Sequence, residues 1–219
     1  MIDWKCVKYL IFDLDNTLYP AKCNLFSQID VKMGEFICDY LDVEHAEAKG
    51  IQKQYFHEHG TTLNGLMHHH NMAPKSFLDF VHDIDYTAVV QDDRLNQALD
   101  KLSGKKYIFT NGTVSHADSV LARLGVGHHF EDIFDIVASD YIPKPDSAPY
   151  EKFVSDYKVR ADTAVMVEDM AKNLSHPAVM GMQTVWVKTD SDWAQAGSDG
   201  DHIHHSTDDL SAWLAEVTS

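Results

Sequence analysis

The chain has 219 residues, 44% of them hydrophobic, and a formal net charge of −16 with histidine neutral. That length supports one sizeable core and a smaller second domain, and the charge argues against a nucleic-acid polymer as partner. No apolar run approaches bilayer length and the Met-Ile-Asp-Trp-Lys-Cys start lacks a basic-then-apolar signal layout, so the expectation is a cytoplasmic protein without membrane association.

The first element is an apolar run, Tyr9 to Phe12, that reads as a strand and leads into Asp13-Leu14-Asp15. A strand places residues i and i+2 on one side, so both carboxylates face one point if the geometry persists past the strand end. Two acids there suggest a magnesium site, a nucleophile beside a general acid, or both. Cys6, Cys23 and Cys38 are odd in number and have no CxxC spacing, which reads as free thiols.

From residue 20 to 90 the pattern is helical. Ile29, Met33, Phe36, Ile37, Tyr40 and Leu41 share one helix face. Further helices are expected over Glu44 to His59, ending near Gly60, over Leu63 to His70, and from Pro74 through Val81. Another runs from Asp92 to Leu102 and stops at Gly104. Beyond Lys106 the texture alternates. Strands are expected at Tyr107 to Phe109, Phe134 to Ala138, Ala164 to Val167 and Val185 to Val187. Helices are expected at Ser115 to Leu124, Asp146 to Tyr157, Ala171 to Met180 and Asp208 to Val217, with a polar surface loop over Thr189 to Gly200. Such alternation implies a doubly wound α/β parallel sheet, Rossmann-like, covered on both faces. The reading is a catalytic core of residues 1–19 and 91–219, interrupted after its first strand by a helical domain of residues 20–90.

Ligands of open parallel sheets bind beyond the carboxyl ends of the strands. Four segments fall there: Asp13-Leu14-Asp15, Thr110-Asn111-Gly112-Thr113, Pro143-Lys144-Pro145 and Glu168-Asp169. Together they supply carboxylates, a hydroxyl with nearby amides, and a lysine, a set that suits phosphoryl transfer through a carboxylate nucleophile and a magnesium ion. Each segment alone has a plainer reading: a turn cap, ordinary turn chemistry, a solvated loop lysine held between prolines, and a helix N-cap.

At these residues the chain resembles the haloacid dehalogenase superfamily of phosphohydrolases, whose four motifs occur here in order. The helical segment lies where that superfamily inserts its cap. Asp15-Asn16-Thr17-Leu18-Tyr19-Pro20, the run from Gly60 to Leu66, and Phe80-Val81-His82 with Asp85 resemble its pyrimidine 5'-nucleotidase-like branch. The resemblance implies that Asp13 is the nucleophile and that Asp15 is the acid and then the base, its backbone carbonyl also binding metal. It implies that Thr110 and the amides of Asn111 and Gly112 hold phosphate, and that Lys144 neutralises charge. Asp169 would join Asp13 and Asp15 as a Mg2+ ligand, with Glu168 and Asn173 orienting the metal's waters. Asp15 must start protonated to act as an acid, and neighbouring carboxylate charge is expected to favour that form.

Substrate choice is expected to fall to the cap, where Tyr19, Tyr55, His59, Thr61 and Thr62 are the residues of interest. Tyr19, Thr61 and Thr62 are the candidate substrate contacts. His68-His69-His70 reads as a solvated helix end. His116 stands either near the substrate or at the start of its helix. The expected partner is a small phosphomonoester, the expected state a monomer or homodimer. Alternatives are a phosphomutase of the same superfamily and a catalytically silent binding module. A dehalogenase is disfavoured, because Asp15 supplies an acid that its chemistry does not need.

Overall fold

Six strands form one parallel sheet in the computed structural model, which describes residues 2–218. They are β1 Tyr9–Phe12, β2 Lys105–Phe109, β3 Asp132–Phe134, β4 Ala164–Glu168, β5 Gln183–Val187 and β6 His205–Thr207, in the order β3-β2-β1-β4-β5-β6. Between β1 and β2 lie α1 Leu25–Leu41, α2 His45–His59, α3 Thr62–His70 and α4 Pro74–Val81. The remaining helices are α5 Asp93–Lys101, α6 Val114–Leu124, α7 Ser147–Tyr157, α8 Ser175–Val179 and α9 Leu210–Val217. This is the doubly wound α/β core with a helical cap after its first strand that the sequence pattern implies.

The central strands are apolar on both sides because both faces are covered. Leu10 and Phe12 of β1 pack into one cluster with Leu95 and Leu99 of α5, Leu121 of α6 and Leu214 of α9. Ile11 points the opposite way and joins Phe109, Met166 and Phe153 of α7. The insert has its own core, built from Ile29, Ile37, Tyr55, Leu66, Phe77 and Val81, and Ile136 of the sheet domain enters it. Residue 65 is glycine for a steric reason. A Cβ there would lie 2.2 Å from Cγ of Tyr55, so only glycine lets α3 close onto α2.

Two expectations from the sequence shift, and one strand is not anticipated by it. The third strand is Asp132–Phe134, not Phe134 to Ala138. The Asp135 carboxylate accepts from the amides of Val114 and Ala138, which turns the chain out of the sheet. The helix expected over Ala171 to Met180 is a 3-10 turn, Ala171–Leu174, followed by α8. Pro177 has no amide to give to the carbonyl of Asn173, and that carbonyl accepts from Tyr150 Oη at 2.7 Å instead. The strand β6 has no apolar alternation to reveal it. Its hydrogen bonding to the sheet edge at β5 defines it.

Candidate active site

The strand order reverses at β1 and β4, which places a crevice beyond their carboxyl ends. A cavity of about 430 Å³ opens there between the sheet and the helical insert. Asp13 follows β1 directly, and its amide continues the ladder by donating to the carbonyl of Val167 at 2.9 Å. Glu168 is the last residue of β4, so Glu168 and Asp169 arrive at the same edge. Thr110 follows β2, with its amide donating to Phe134.

Lys144 joins these segments. Its ammonium donates to Asp13 Oδ1 at 2.8 Å, to Glu168 Oε2 at 2.6 Å and to the carbonyl of Phe109 at 2.8 Å, with its side chain 1% exposed. Asn111 fixes the lysine's backbone, its Oδ1 accepting from the Lys144 amide at 2.9 Å and its amide group reaching the Lys144 carbonyl. The other Asp13 oxygen accepts from Thr17 Oγ1 at 2.8 Å. Thr110 Oγ1 accepts from the Gly112 amide at 2.9 Å, which closes the second loop on itself.

Charge is crowded here. Burial and the neighbouring Glu168 push the Asp13 carboxyl up to about 7, against the pull of Lys144. Burial, with Glu168 and Asp13, pushes Asp169 up as well. Burial opposes the Lys144 charge, but Asp13 and Glu168 outweigh it and the lysine is shifted upward. The carboxylate oxygens of Asp13, Glu168 and Asp169 lie within 4.8 Å of one another. Asp169 Oδ2 and Asn173 Oδ1 are buried and have no hydrogen-bond partner. Clustered carboxylate oxygens with one lysine against three carboxylates, and orphaned oxygens of Asp169 and Asn173 on the same cavity, fit a divalent cation such as magnesium.

Asp15 departs from expectation in one respect. Its Oδ1 accepts from Tyr19 Oη and lies 2.8 Å from His116 Nε2. Burial favours the protonated carboxyl, but the His116 charge and hydrogen bond, the Tyr19 hydrogen bond and the His82 charge together pull its pKa below the ordinary value. The neighbouring-carboxylate argument is therefore overridden by the donors around this side chain. Tyr19 also differs from its expected place as a substrate contact. It is 1% exposed and does not line the cavity, because its hydroxyl is directed at Asp15.

Thr61 and Thr62 do line the cavity. Thr61 caps α3, accepting from the Asn64 amide, and Thr62 Oγ1 lies 3.5 Å from the Gln52 carbonyl. Asn111 and Gly112 also line it. Thr17, four residues from Asp13, has no role expected from the sequence, and the stacking of His82 on His116, ring centroids 4.5 Å apart, is not anticipated by it, although His116 is expected near the substrate or at its helix start. Phe26 of α1 and Trp193 meet across the cavity wall at 6.1 Å, a contact between distant segments that no local pattern announces.

A family model described as haloacid dehalogenase-like hydrolase matches residues 7–175. The chain belongs to that family. Phosphate metabolism protein 8 of Saccharomyces cerevisiae is 27% identical over 194 residues, covering 80% of this chain; the chain spans 60% of that relative's length. Among solved structures, YfnB of Bacillus subtilis bound to magnesium aligns with a TM-score of 0.62 at 16% identity, over 97% of this chain and 99% of its own. A HAD phosphatase of Thermococcus onnurineus aligns with a TM-score of 0.62 at 17% identity, over 96% of each chain. A 2-haloacid dehalogenase of Pseudomonas syringae aligns at 0.57 with 18% identity, over 97% of this chain and 100% of its own. At these identities the structural likeness speaks for the fold.

Proposed function

We propose that this hydrolase is a magnesium-dependent phosphomonoester hydrolase working through an aspartyl-phosphate, on small phosphorylated metabolites such as pyrimidine nucleoside 5'-monophosphates. The observation that carries the reading is the meeting of Asp13, Lys144, Glu168 and Asp169 at one buried point, with Asp15 and the Thr110 loop on the same cavity. In this reading the cap is residues 20–90 and the core is residues 1–19 and 91–219.

An Asp13 oxygen attacks phosphorus, the ester P–O bond breaks, and the leaving oxygen takes a proton from Asp15, which the charge of the incoming phosphate dianion must first drive to its protonated form against the pull of His116 and Tyr19. Asp15 then takes a proton from the water that attacks the aspartyl-phosphate, and inorganic phosphate leaves. Lys144 keeps Asp13 oriented and offsets the charge of the incoming dianion. The Thr110 hydroxyl and the amides of Asn111 and Gly112 hold phosphate oxygens, with the Gly112 amide leaving Thr110 Oγ1 to do so. Tyr19 and His116 fix the Asp15 carboxyl toward the leaving group. Asp13, Asp169 and the Asp15 carbonyl would hold Mg2+, which supplies further charge neutralisation when bound.

Dehalogenases among the structural neighbours make that chemistry the reading to test against. The experiment is release of phosphate from p-nitrophenyl phosphate with and without magnesium, beside halide release from a 2-haloacid. Phosphate release that falls by about a thousandfold or more in Asp13→Asn, with the fold intact by circular dichroism, is the expected outcome. Halide release without phosphate release would overturn it. A panel setting UMP and CMP against purine nucleotides and sugar phosphates tests the nucleotide assignment, and equal rates on all of them would remove it.

A further inference from the structure

Outside the carboxylate cavity, one other group of three side chains among the described residues brings ligand atoms of metal-binding type together. Glu58 and His59 end α2, and His69 stands near the end of α3. Their ligand atoms lie within 4.8 Å of one another. His59 Nε2 and His69 Nε2 are 2.9 Å apart, and Glu58 Oε2 is 3.8 Å from His59 Nε2. None of the three lines the cavity.

The surrounding structure holds this geometry. The missing side chain at Gly65 lets Tyr55 lie against α3. The Tyr55 ring then stacks on His69 at 5.0 Å and 14°, while its hydroxyl engages His70 Nε2 at 2.7 Å. His70 is thereby occupied and His69 is oriented toward His59. Gly60, at φ 80°, ends α2 at His59 and brings the chain back through Thr61 into α3.

We propose that Glu58, His59 and His69 form a second divalent-metal site, of zinc type, on the outer corner of the helical insert. Two imidazole nitrogens and a carboxylate oxygen are a zinc donor set, with solvent as the fourth ligand of a tetrahedron. In the metal-free form one ring donates its Nε2 proton to the other. On binding, that ring moves its proton to Nδ1 and both Nε2 lone pairs turn to the ion. Zn–N bonds of about 2.0–2.1 Å in a tetrahedron separate the two nitrogens by roughly 3.3 Å, a small opening of the present pair. Gly60 and Thr61, which follow the site directly, do line the cavity, so an ion here would brace the loop that faces substrate.

The test uses full-length protein without a histidine tag, stripped of metal, in excess magnesium to hold the carboxylate site. Zinc binding is measured by isothermal titration, and Co2+ is substituted for its visible spectrum. One zinc per chain, a Co2+ spectrum of tetrahedral intensity, and at least a tenfold weakening in His59→Ala and in His69→Gln are expected. Asp169→Asn should leave that zinc in place. Absence of stoichiometric zinc binding would overturn the proposal, as would zinc that persists unchanged in both histidine variants. Zinc lost in Asp169→Asn but not in the histidine variants would assign it to the carboxylate site and overturn the proposal equally. The histidines are on the surface of the insert, and circular dichroism of each variant checks that a loss of binding is not a loss of fold.

Discussion

Lys144 shows how much one side chain decides. Its three hydrogen bonds join the carboxyl ends of β1, β2 and β4 through a single buried ammonium. Removing it leaves Asp13 and Glu168 buried without their counter-ion, a change that typically costs about 3–5 kcal/mol. Lys144→Met should therefore lose activity and also stability, measured by urea unfolding at pH 8. The loss should shrink at pH 5, where the Asp13 carboxyl, already pushed up to about 7, takes a proton. His82 gives a different pH signature. Burial and the adjacent His116 pull it down to about 4 from 6.5, despite Asp15 and Asp79 favouring its charge. Between those values the unfolded chain takes up a proton that the folded one refuses, so stability falls as pH drops from 6.5 through 4. In His82→Gln the decline in melting temperature over that window should be shallower.

At the level of elements, the insert depends on how closely its helices approach. Tyr55 fills the space a side chain at 65 would need. Gly65→Ala would improve helix propensity but force α3 off α2, and overpacking of that kind costs about 1–3 kcal/mol. Urea unfolding should show a net loss, and the zinc-type corner beside it should weaken in parallel. Element identity was legible where periodicity was strong. The amphipathic pattern from Ile29 to Leu41 corresponds to α1, and Pro74 does start α4. It was not legible where tertiary partners override the pattern. Asp135 ends β3 by capping other amides, and β6 is defined by its neighbour rather than by its own residues.

For the whole molecule, the candidate active site concentrates negative charge in a chain that already carries −16. Three carboxylates against one lysine leave that point short of positive charge in the metal-free fold. A cation that binds only the folded state raises stability by mass action. Magnesium should raise the melting temperature by a few degrees, and Asp169→Asn should abolish the gain; an unchanged melting temperature in both proteins would count against the carboxylate cluster as a metal site.

The sequence by itself determined the alternation of strands and helices, the position of the helical insert, and the four segments that meet at the candidate site. Those features are local: residue period, capping residues and motifs that fall just after apolar runs. Only the tertiary structure decided which partner each polar group takes. It directed Tyr19 and His116 to Asp15, turned Asn111 to the backbone of Lys144, and set His59 beside His69. Those pairings join residues brought together by sheet order and helix packing, across separations that carry no local signal.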